Sequence, residues 1–408
     1  MLFFKSVYCR AIQLLLRLVL SVLPHREPKI MNSYLKLGDL IRKRNIKSAF
    51  IVTDMGVVNN NLLVPVEKIL LKNGVAYEVY DKTVTNPTVF NVEEAFEIYR
   101  KNNYDALIAI GGGSSIDCAK ALGARIVYPN KTVAQLKGML RILRSLPLFI
   151  AIPTTAGTGS ETTPVAVITA TEECRKYILI SFSLIPNYAV IDATFTYSLP
   201  KDITFYTGMD TLTHAVEAYI GCYTTKESRN LAVDAIKLVF KNIKVACTNG
   251  YDYTARKNML HASYEAGLAF SKSCVGYIHA VSHQISGRYG IHHGLANAII
   301  MPYVLNFYGK KINKKLSKLS LELDLSNKND THEIMAEKFI CAIKNLNSEM
   351  CIPNKIACIK REDIDIMAKY AEKEANPFYP VPKLMTLEEL KSIYYEISVW
   401  VNSFIIWN

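Results

Sequence analysis

The sequence predicts an α/β half built on a parallel sheet, followed by an all-helical half. Three observations predict it. Strand and helix signals alternate from 48 to 190, one of those strands runs straight into three glycines, and beyond about Pro200 β-type runs give way to apolar residues at helical spacing. At 408 residues the chain is long enough for two hydrophobic cores.

The elements follow in order. "MLFFKSVYCRAIQLLLRLVLSVLP" is basic, acid-free and apolar, as a secretory signal would be. Yet Arg17 interrupts the run, no small-x-small cleavage site follows, and each apolar piece falls short of the ~20 residues that span a bilayer. Residues 1–29 are therefore expected to form a bound amphipathic leader helix without stable membrane insertion; association with a membrane surface is the lesser reading. "SAFIVT" (48–53), "AYEVYD" (76–81) and "DALIAI" (105–110) are strands, with helices over 62–73, ending at Gly74, and over 91–102. From a boundary near 195–200, helical periodicity covers 208–221, 228–245, 254–271, 275–287, 295–307, 332–347 and 387–402. The expected division is a leader over 1–29, an α/β cofactor domain over 30–198 and a helical metal and substrate domain over 199–408.

Composition excludes some classes of function. Half the residues are hydrophobic and 21% are charged, without low-complexity tracts, as in a folded soluble protein. The net charge of +12 admits anionic partners, but the basic residues are scattered, and the densest run, "GKKINKKLSK" (309–318), spaces its lysines as a solvated helix face. No nucleic-acid partner is expected. Nine cysteines, an odd number without a C-x-x-C pair, suit unpaired thiols in a reducing compartment, hence the cytoplasm.

"IAIGGGSSIDCAKALGA" (108–124) reads strand, glycine turn, helix. Successive glycines bend the backbone and turn N–H groups outward, Ser114 is placed to cap the helix, and the positive helix end favours a phosphate. The motif is neither G-x-G-x-x-G nor a P-loop, and alone it is equally a structural turn. Two neighbours favour a nucleotide: "VTD" (52–54) ends a strand in an acid suited to a ribose hydroxyl, and "IPTTAGTGSET" (152–162) ends another in small residues and hydroxyls. The C-terminal ends of parallel strands line one edge, where nucleotides bind.

"YIHAVSHQISGRYGIHHG" (277–294) holds four of the eight histidines. On a helix, His279 and His283 are one turn apart on the same face, which allows two ligands or one ligand with an adjacent acid/base group. "TGMDTLTHAVEAYIG" (207–221) repeats the device with Asp210 and His214. Such a mixed N/O set suits Zn²⁺, Fe²⁺, Co²⁺ or Mn²⁺ rather than Ca²⁺ or Mg²⁺.

The runs "GMDTLTHAVEAYI" and "AGLAFSKSCVGYIHAVSHQISGRYGIHHGLANAIIMPYVL" (266–305) resemble the iron-containing (group III) alcohol dehydrogenase family, and "GGGSSIDCAKA" and "IPTTAGTGSE" resemble its cofactor segments in the same order. The likeness runs from about Lys29 through "NPFYPVPKLMTLEEL" (376–390), and "YCR…LPHREPKI" resembles a leader helix of one branch. It implies the α/β plus all-α architecture shared with dehydroquinate synthase. It implies that Asp210, His214, His279 and His293 bind one divalent metal, Fe²⁺ or Zn²⁺, with His283 near substrate and nicotinamide. Asp54, Asn86, Gly112, Gly113, Ser114, Asp117, Thr154, Thr155, Thr158 and Lys176 match its cofactor-binding positions. The sequence departs from the family pattern at His292 and Ser115, each in place of a usual Pro, at Ser181-Phe182 in place of Asp-Pro, and at Ala193 in place of a Pro.

The implied reaction interconverts a small alcohol and its aldehyde or ketone by hydride transfer to or from a nicotinamide, with the metal polarising the substrate oxygen. His283 either relays the alcohol proton or only orients the substrate. A carboxylate at Asp54 accepts a ribose 2′-hydroxyl and repels a 2′-phosphate, so NAD(H) is favoured over NADP(H). The alternatives are a glycerol-type dehydrogenase, a dehydroquinate synthase-like lyase, which would need more basic side chains around its site, and an inactive metal-binding protein. Phe270, Tyr277 and Tyr289 near the cluster would suit a small apolar alcohol, but core packing is the stronger reading for them; the resemblance implies a homodimer or higher homo-oligomer.

Overall fold

The apolar runs of the first half become strands because their side chains are buried on both faces. In the computed structural model, which describes residues 2–22, 26–172 and 175–399, six parallel strands form one sheet in the order β1-β9-β6-β4-β2-β3. They are β1 (Lys29–Met31), β2 (Ser48–Val52), β3 (Ala76–Tyr80), β4 (Ala106–Gly111), β6 (Leu148–Pro153) and β9 (Tyr188–Val190). On β4, Ala106, Ile108 and Ile110 pack into one core and Leu107 and Ala109 into the other; β2 and β6 divide their side chains in the same way. Burial on both sides is why these strands read as continuous apolar runs rather than alternating ones.

A second sheet, ordered β5-β8-β7, was not foreseen. It joins β5 (Gly138–Met139) to the antiparallel pair β7 (Val165–Ala170) and β8 (Arg175–Ile180). Burial alternates along β7, with Ala166, Ile168 and Ala170 buried and the residues between them only partly so, as in a strand covered on one face.

The helices, in chain order, are α1 (Leu2–Val22), α2 (Leu37–Arg44), α3 (Met55–Asn59), α4 (Val64–Lys72), α5 (Val89–Tyr99), α6 (Gly113–Val127) and α7 (Val133–Leu136), then α8 (Lys201–Ile220), α9 (Lys226–Thr248), α10 (Tyr253–Ser273), α11 (Tyr277–Tyr289) and α12 (His293–Tyr308), and finally α13 (Asn313–Glu322), α14 (His332–Glu349), α15 (Ile364–Ala375) and α16 (Leu387–Ile397). The seven predicted helices of the second half are present, α8 starting earlier than expected, directly after Pro200, and the end of the predicted 387–402 helix lying outside the described residues; α13 and α15 are not among the seven. Among the described residues, no helix is long and apolar enough to cross a membrane.

The chain packs as two units. One, the α/β unit, takes in Pro24–Thr204 and Asn242–Ser271; the other, the helical unit, takes in Met1–Leu23, Phe205–Lys241 and Lys272–Asn408. Within the α/β unit, α10 lies directly on the loop that follows β6. A Cβ added at Gly267 would lie 2.2 Å from Thr162 Oγ1 and 3.0 Å from the Gly159 carbonyl oxygen. Gly267→Ala must therefore push helix from loop, whereas Gly287, on α11, has nothing within 4 Å of an added Cβ. In thermal melts Gly267→Ala should lose about 1–3 kcal/mol, the range for overpacking. Gly287→Ala should be neutral or stabilising by up to about 1 kcal/mol, because alanine is the better helix former. Equal melting temperatures for the two variants would refute the close packing.

Candidate metal centre and phosphate turn

In the helical unit, three helices bring acid and imidazole together. Helix α8 carries Asp210, His214 and Glu217 on one face, α11 carries His279 and His283 one turn apart, and α12 opens at His293 with Asn297 a turn further on. Asp210, His214 and His279 are all under a tenth exposed. Asp210, His279 and His293 present one ligand atom each, all within 4.8 Å of one another. From Asp210 Oδ1 the separations are 3.7 Å to His279 Nε2, 3.5 Å to His293 Nε2 and 3.8 Å to His214 Nδ1. The His214 ring stacks on that of His279 at 4.3 Å. Three of the four residues expected to bind metal thus converge, and His214 lies beside them but outside the converging group. His283 stands beside them, its ring stacked on His293 at 4.9 Å.

The surroundings orient this set. Glu217, itself buried, accepts hydrogen bonds from the Gly276 and Ile278 backbone N–H groups, both at 2.7 Å, and meets His279 Nδ1 at 2.7 Å. One carboxylate thereby caps the start of α11 and holds Nδ1 of its histidine, which turns Nε2 toward Asp210, the usual carboxylate–histidine support of a metal ligand. Asn297 Nδ2 donates to Asp210 Oδ1 at 2.8 Å and lies 3.1 Å and 3.4 Å from the Nε2 atoms of His293 and His279. One carboxylate oxygen and two imidazole nitrogens thus crowd around a single amide, the kind of donor-atom set that a small cation would also satisfy.

The charges agree. Burial alone would raise the Asp210 carboxyl, but the imidazoles of His214, His293 and His279 outweigh it and hold the group well below the usual carboxylate range. Burial would lower His279, but Asp210 and Glu217 raise it to about 9. Burial and the neighbouring imidazoles push His293 down against the attraction of Asp210, so of these two rings His279 is the one that more readily holds a proton. A divalent cation entering here competes with that proton. The donor set fits such an ion, since two or more imidazoles with a carboxylate is ordinary for Zn²⁺ or Fe²⁺.

His292, where the family usually has Pro, leaves the turn intact. Its Nδ1 accepts the Gly294 N–H at 3.2 Å, capping α12, and its ring lies 5.2 Å from that of Tyr206. It does not belong to the group of converging ligand atoms. Tyr277 and Tyr289 are built into the packing: the Tyr277 hydroxyl donates to Asn376 and accepts from the Met385 N–H, and the Tyr289 hydroxyl donates to Asp363.

In the α/β unit the strand order reverses at β2, which has β3 on one side and β4 on the other. Such a switch opens a crevice at the strand ends. Asp54 follows β2 and the glycine turn follows β4, so both stand at that crevice, and Asp54 Oδ2 accepts the Ser115 hydroxyl at 2.7 Å. Asp54 Oδ1 accepts the Val57 N–H, and each carboxylate oxygen keeps capacity for a further donor. Added Cβ atoms at Gly112 and Gly113 would lie 3.3 Å from Thr155 and 2.7 Å from Thr158, so this turn and the loop after β6 are tightly apposed. Ser114 does not cap α6, whose N-cap is Gly112; its hydroxyl accepts the Asn86 N–H at 3.3 Å, and Lys176 Nζ donates to Asn86 Oδ1 at 3.2 Å.

Asp54, Asn86, Gly112, Gly113, Ser114, Thr155, Thr158 and Lys176 are therefore neighbours. Two of the expected residues face the protein instead. The buried Thr154 donates its N–H to the Gly111 carbonyl. Asp117 accepts the Ser160 hydroxyl and the Val167 N–H, with buried Lys120 4.0 Å away. Sequence reasoning missed Glu217, Asn297 and Glu374, which meets His283 Nδ1 at 2.6 Å. For the first two a signal existed: each is a polar residue inside an apolar helix, at helical spacing from a histidine.

Comparison with known proteins gives the same assignment. The model of the family "iron-containing alcohol dehydrogenase" matches residues 31–193, and that of the "Fe-containing alcohol dehydrogenase family, C-terminal" matches 204–398. Alcohol dehydrogenase 4 of Schizosaccharomyces pombe is 36% identical over 87% of this chain and 83% of its own. The NAD-dependent methanol dehydrogenase of Bacillus methanolicus is 32% identical over 88% of this chain and 94% of its own. The crystal structure of an alcohol dehydrogenase from Oenococcus oeni superposes with a TM-score of 0.87 at 32% identity, covering 92% of this chain and 100% of the other. With both halves matched, the chain belongs to the iron-containing alcohol dehydrogenase family, and so to the metal-dependent oxidoreductases that interconvert alcohols and carbonyl compounds.

Proposed function

We propose that the chain is a cytoplasmic dehydrogenase of small alcohols and aldehydes, working with NAD(H) and one Fe²⁺ or Zn²⁺. The convergence of Asp210, His279 and His293 on one point carries this reading. These three and His214 would hold the cation; bound there, it supplies Lewis acidity toward the substrate oxygen, while the nicotinamide exchanges the hydride. His283 holds and moves the proton of the alcohol oxygen, its Nδ1 kept by Glu374. Gly112, Gly113 and Ser114 present backbone N–H groups and the start of α6 to the pyrophosphate. Asn86, Thr155, Thr158 and Lys176 line the same turn, while Thr154 and Asp117 fasten the loops behind it. The 30–198 segment is read as the cofactor domain and 199–408 as the metal and substrate domain.

The metal is not decided by ligand type. Zn²⁺ outcompetes Fe²⁺ at most such sites, so an iron enzyme would reflect metal supply. Strand β1 lies at the sheet edge, a position from which a second copy could extend the sheet, in keeping with a homo-oligomer. The eight described cysteines form no disulfide, in keeping with a reducing compartment. The primary test is anaerobic reconstitution with Fe²⁺ or Zn²⁺ followed by an NAD(H)/NADP(H) screen over short alcohols and aldehydes. Stoichiometric metal uptake and turnover are expected; no absorbance change with any substrate would favour a metal-binding protein without activity.

Asp54 sets the cofactor preference. Asp54→Asn keeps a good N-cap for α3 and removes the charge that repels a 2′-phosphate, while the amide nitrogen, now facing the Ser115 hydroxyl, donates where the carboxylate accepted. The ratio of kcat/KM for NADH over NADPH should fall by roughly tenfold, equivalent to about 1.4 kcal/mol. A wild-type enzyme that already prefers NADPH would overturn the assignment.

A further inference from the structure

The leader helix α1 belongs to the helical unit, and its attachment there is polar and directional rather than merely apolar. Gln13, 2% exposed, donates Nε2 to the Tyr379 carbonyl at 2.7 Å and accepts Arg10 through Oε1 at 2.9 Å. Arg10 in turn donates to the Val381 carbonyl at 2.8 Å and the Pro382 carbonyl at 3.3 Å. One buried amide and one guanidinium thus fix the backbone over 379–382. The Tyr379 hydroxyl donates to Glu374 Oε1 at 3.0 Å, the same oxygen that meets His283 Nδ1 at 2.6 Å, while Gln284 Nε2 holds Glu374 Oε2 at 3.0 Å.

We propose that α1 is a positioning element for His283: through Gln13, the Tyr379 backbone, the Tyr379 hydroxyl and Glu374, it fixes the orientation of the imidazole that handles the substrate proton. This rests on the role given to His283 above. The links between residues are hydrogen bonds, Tyr379 itself joins its carbonyl to its hydroxyl covalently, and all of them lie in one packing unit. An apolar helix could be held by its apolar face alone. A buried glutamine there would be a liability unless both ends of its amide were engaged, and both are. A hydrogen-bonded chain of this kind transmits orientation because it starts from the buried Gln13 and both oxygens of the partly buried Glu374 are already engaged. None of these residues belongs to the converging ligand group, so the effect should fall on proton handling and leave metal and cofactor binding alone.

The test uses the Zn²⁺-loaded full chain and two variants, Gln13→Leu, which keeps helix and volume but removes the donor, and Tyr379→Phe. Histidine-labelled protein gives an Nδ1 proton resonance for His283, assigned by its loss in His283→Ala. In both variants that resonance should move. kcat should fall by about threefold for Gln13→Leu and roughly tenfold for Tyr379→Phe, with metal content and KM for NAD unchanged, as for outer partners of a site histidine. In a His283→Ala background neither change should lower kcat further, since residues acting as one unit are not additive. An unmoved resonance, or the same fold-loss in that background, overturns the proposal. A moved resonance with fully active His283→Ala would instead sink the proton role of His283 and leave only the structural coupling.

Discussion

His279→Ala is expected to release the metal and abolish turnover, while His283→Ala should keep the metal and turn over slowly. The two imidazoles sit one turn apart on α11, so helix propensity and exposure of the segment change little between the variants. What separates them is what each ring faces. His279 Nε2 lies 3.7 Å from Asp210 Oδ1 and its Nδ1 is held by the buried Glu217 carboxylate. Its removal deletes a ligand and leaves two buried carboxylates short of a partner, a cost of several kcal/mol before any metal is considered. Metal content by elemental analysis should drop below stoichiometry and kcat/KM should become unmeasurable.

His283 is turned to Glu374 and stacks on His293 without joining the converging donors. Its loss should retain full metal and lower kcat by about 10²–10⁴, the usual worth of a general acid/base group. Equal metal loss in both variants would show the ligand assignment to be wrong.

The contrast between these residues marks what could be read from the chain alone. The pairs Asp210/His214 and His279/His283 were legible because i,i+4 spacing on a helix needs no long-range information, whereas the choice of His293 over His283 as a proposed ligand came only from the family resemblance. The strands β2, β4 and β6 were legible because burial on both faces leaves continuous apolar runs. Strands β7 and β8 were not, since one face of β7 is only half-buried and its alternation is easily lost among short residues. Glu217, Asn297 and Glu374 depend on which helices become neighbours. The notable composition of "AVEAY" or "LANAII" is one polar residue in apolar company, which signals burial but names no partner. Ser114 was misassigned as a cap for a similar reason: the register of α6 against its glycine turn is decided by how closely Thr155 and Thr158 approach, a contact 40 or so residues away in sequence.

Gly294→Ala is expected to damage the metal centre although it removes no ligand and creates no charge. Gly294 is the second residue of α12, immediately after the ligand His293. An added Cβ would lie 2.0 Å from the Tyr206 carbonyl oxygen, 2.6 Å from its carbon and 3.3 Å from Asp210 Cβ. The obstructing atoms are backbone on α8, so no rotamer change can relieve the clash. The start of α12 must back away from α8, and that motion separates His293 from Asp210, now 3.5 Å apart at the ligand atoms. Overpacking alone costs about 1–3 kcal/mol, and more where backbone must shift. A displaced first-row metal ligand costs further, because the ion tolerates bond lengths within only ~0.2 Å of ideal. We expect metal affinity by competition with a chelator to fall by roughly 100-fold, about 2.7 kcal/mol, together with a lower melting temperature. His292→Ala serves as the comparison: it removes the side-chain cap on the Gly294 N–H, worth about 1 kcal/mol, without forcing the helices apart. If the cap variant weakened the metal as much as Gly294→Ala, the start of α12 would be set by its hydrogen bond rather than by the close approach of two backbones. If neither variant did, the cluster would be held chiefly by Glu217 and Asn297.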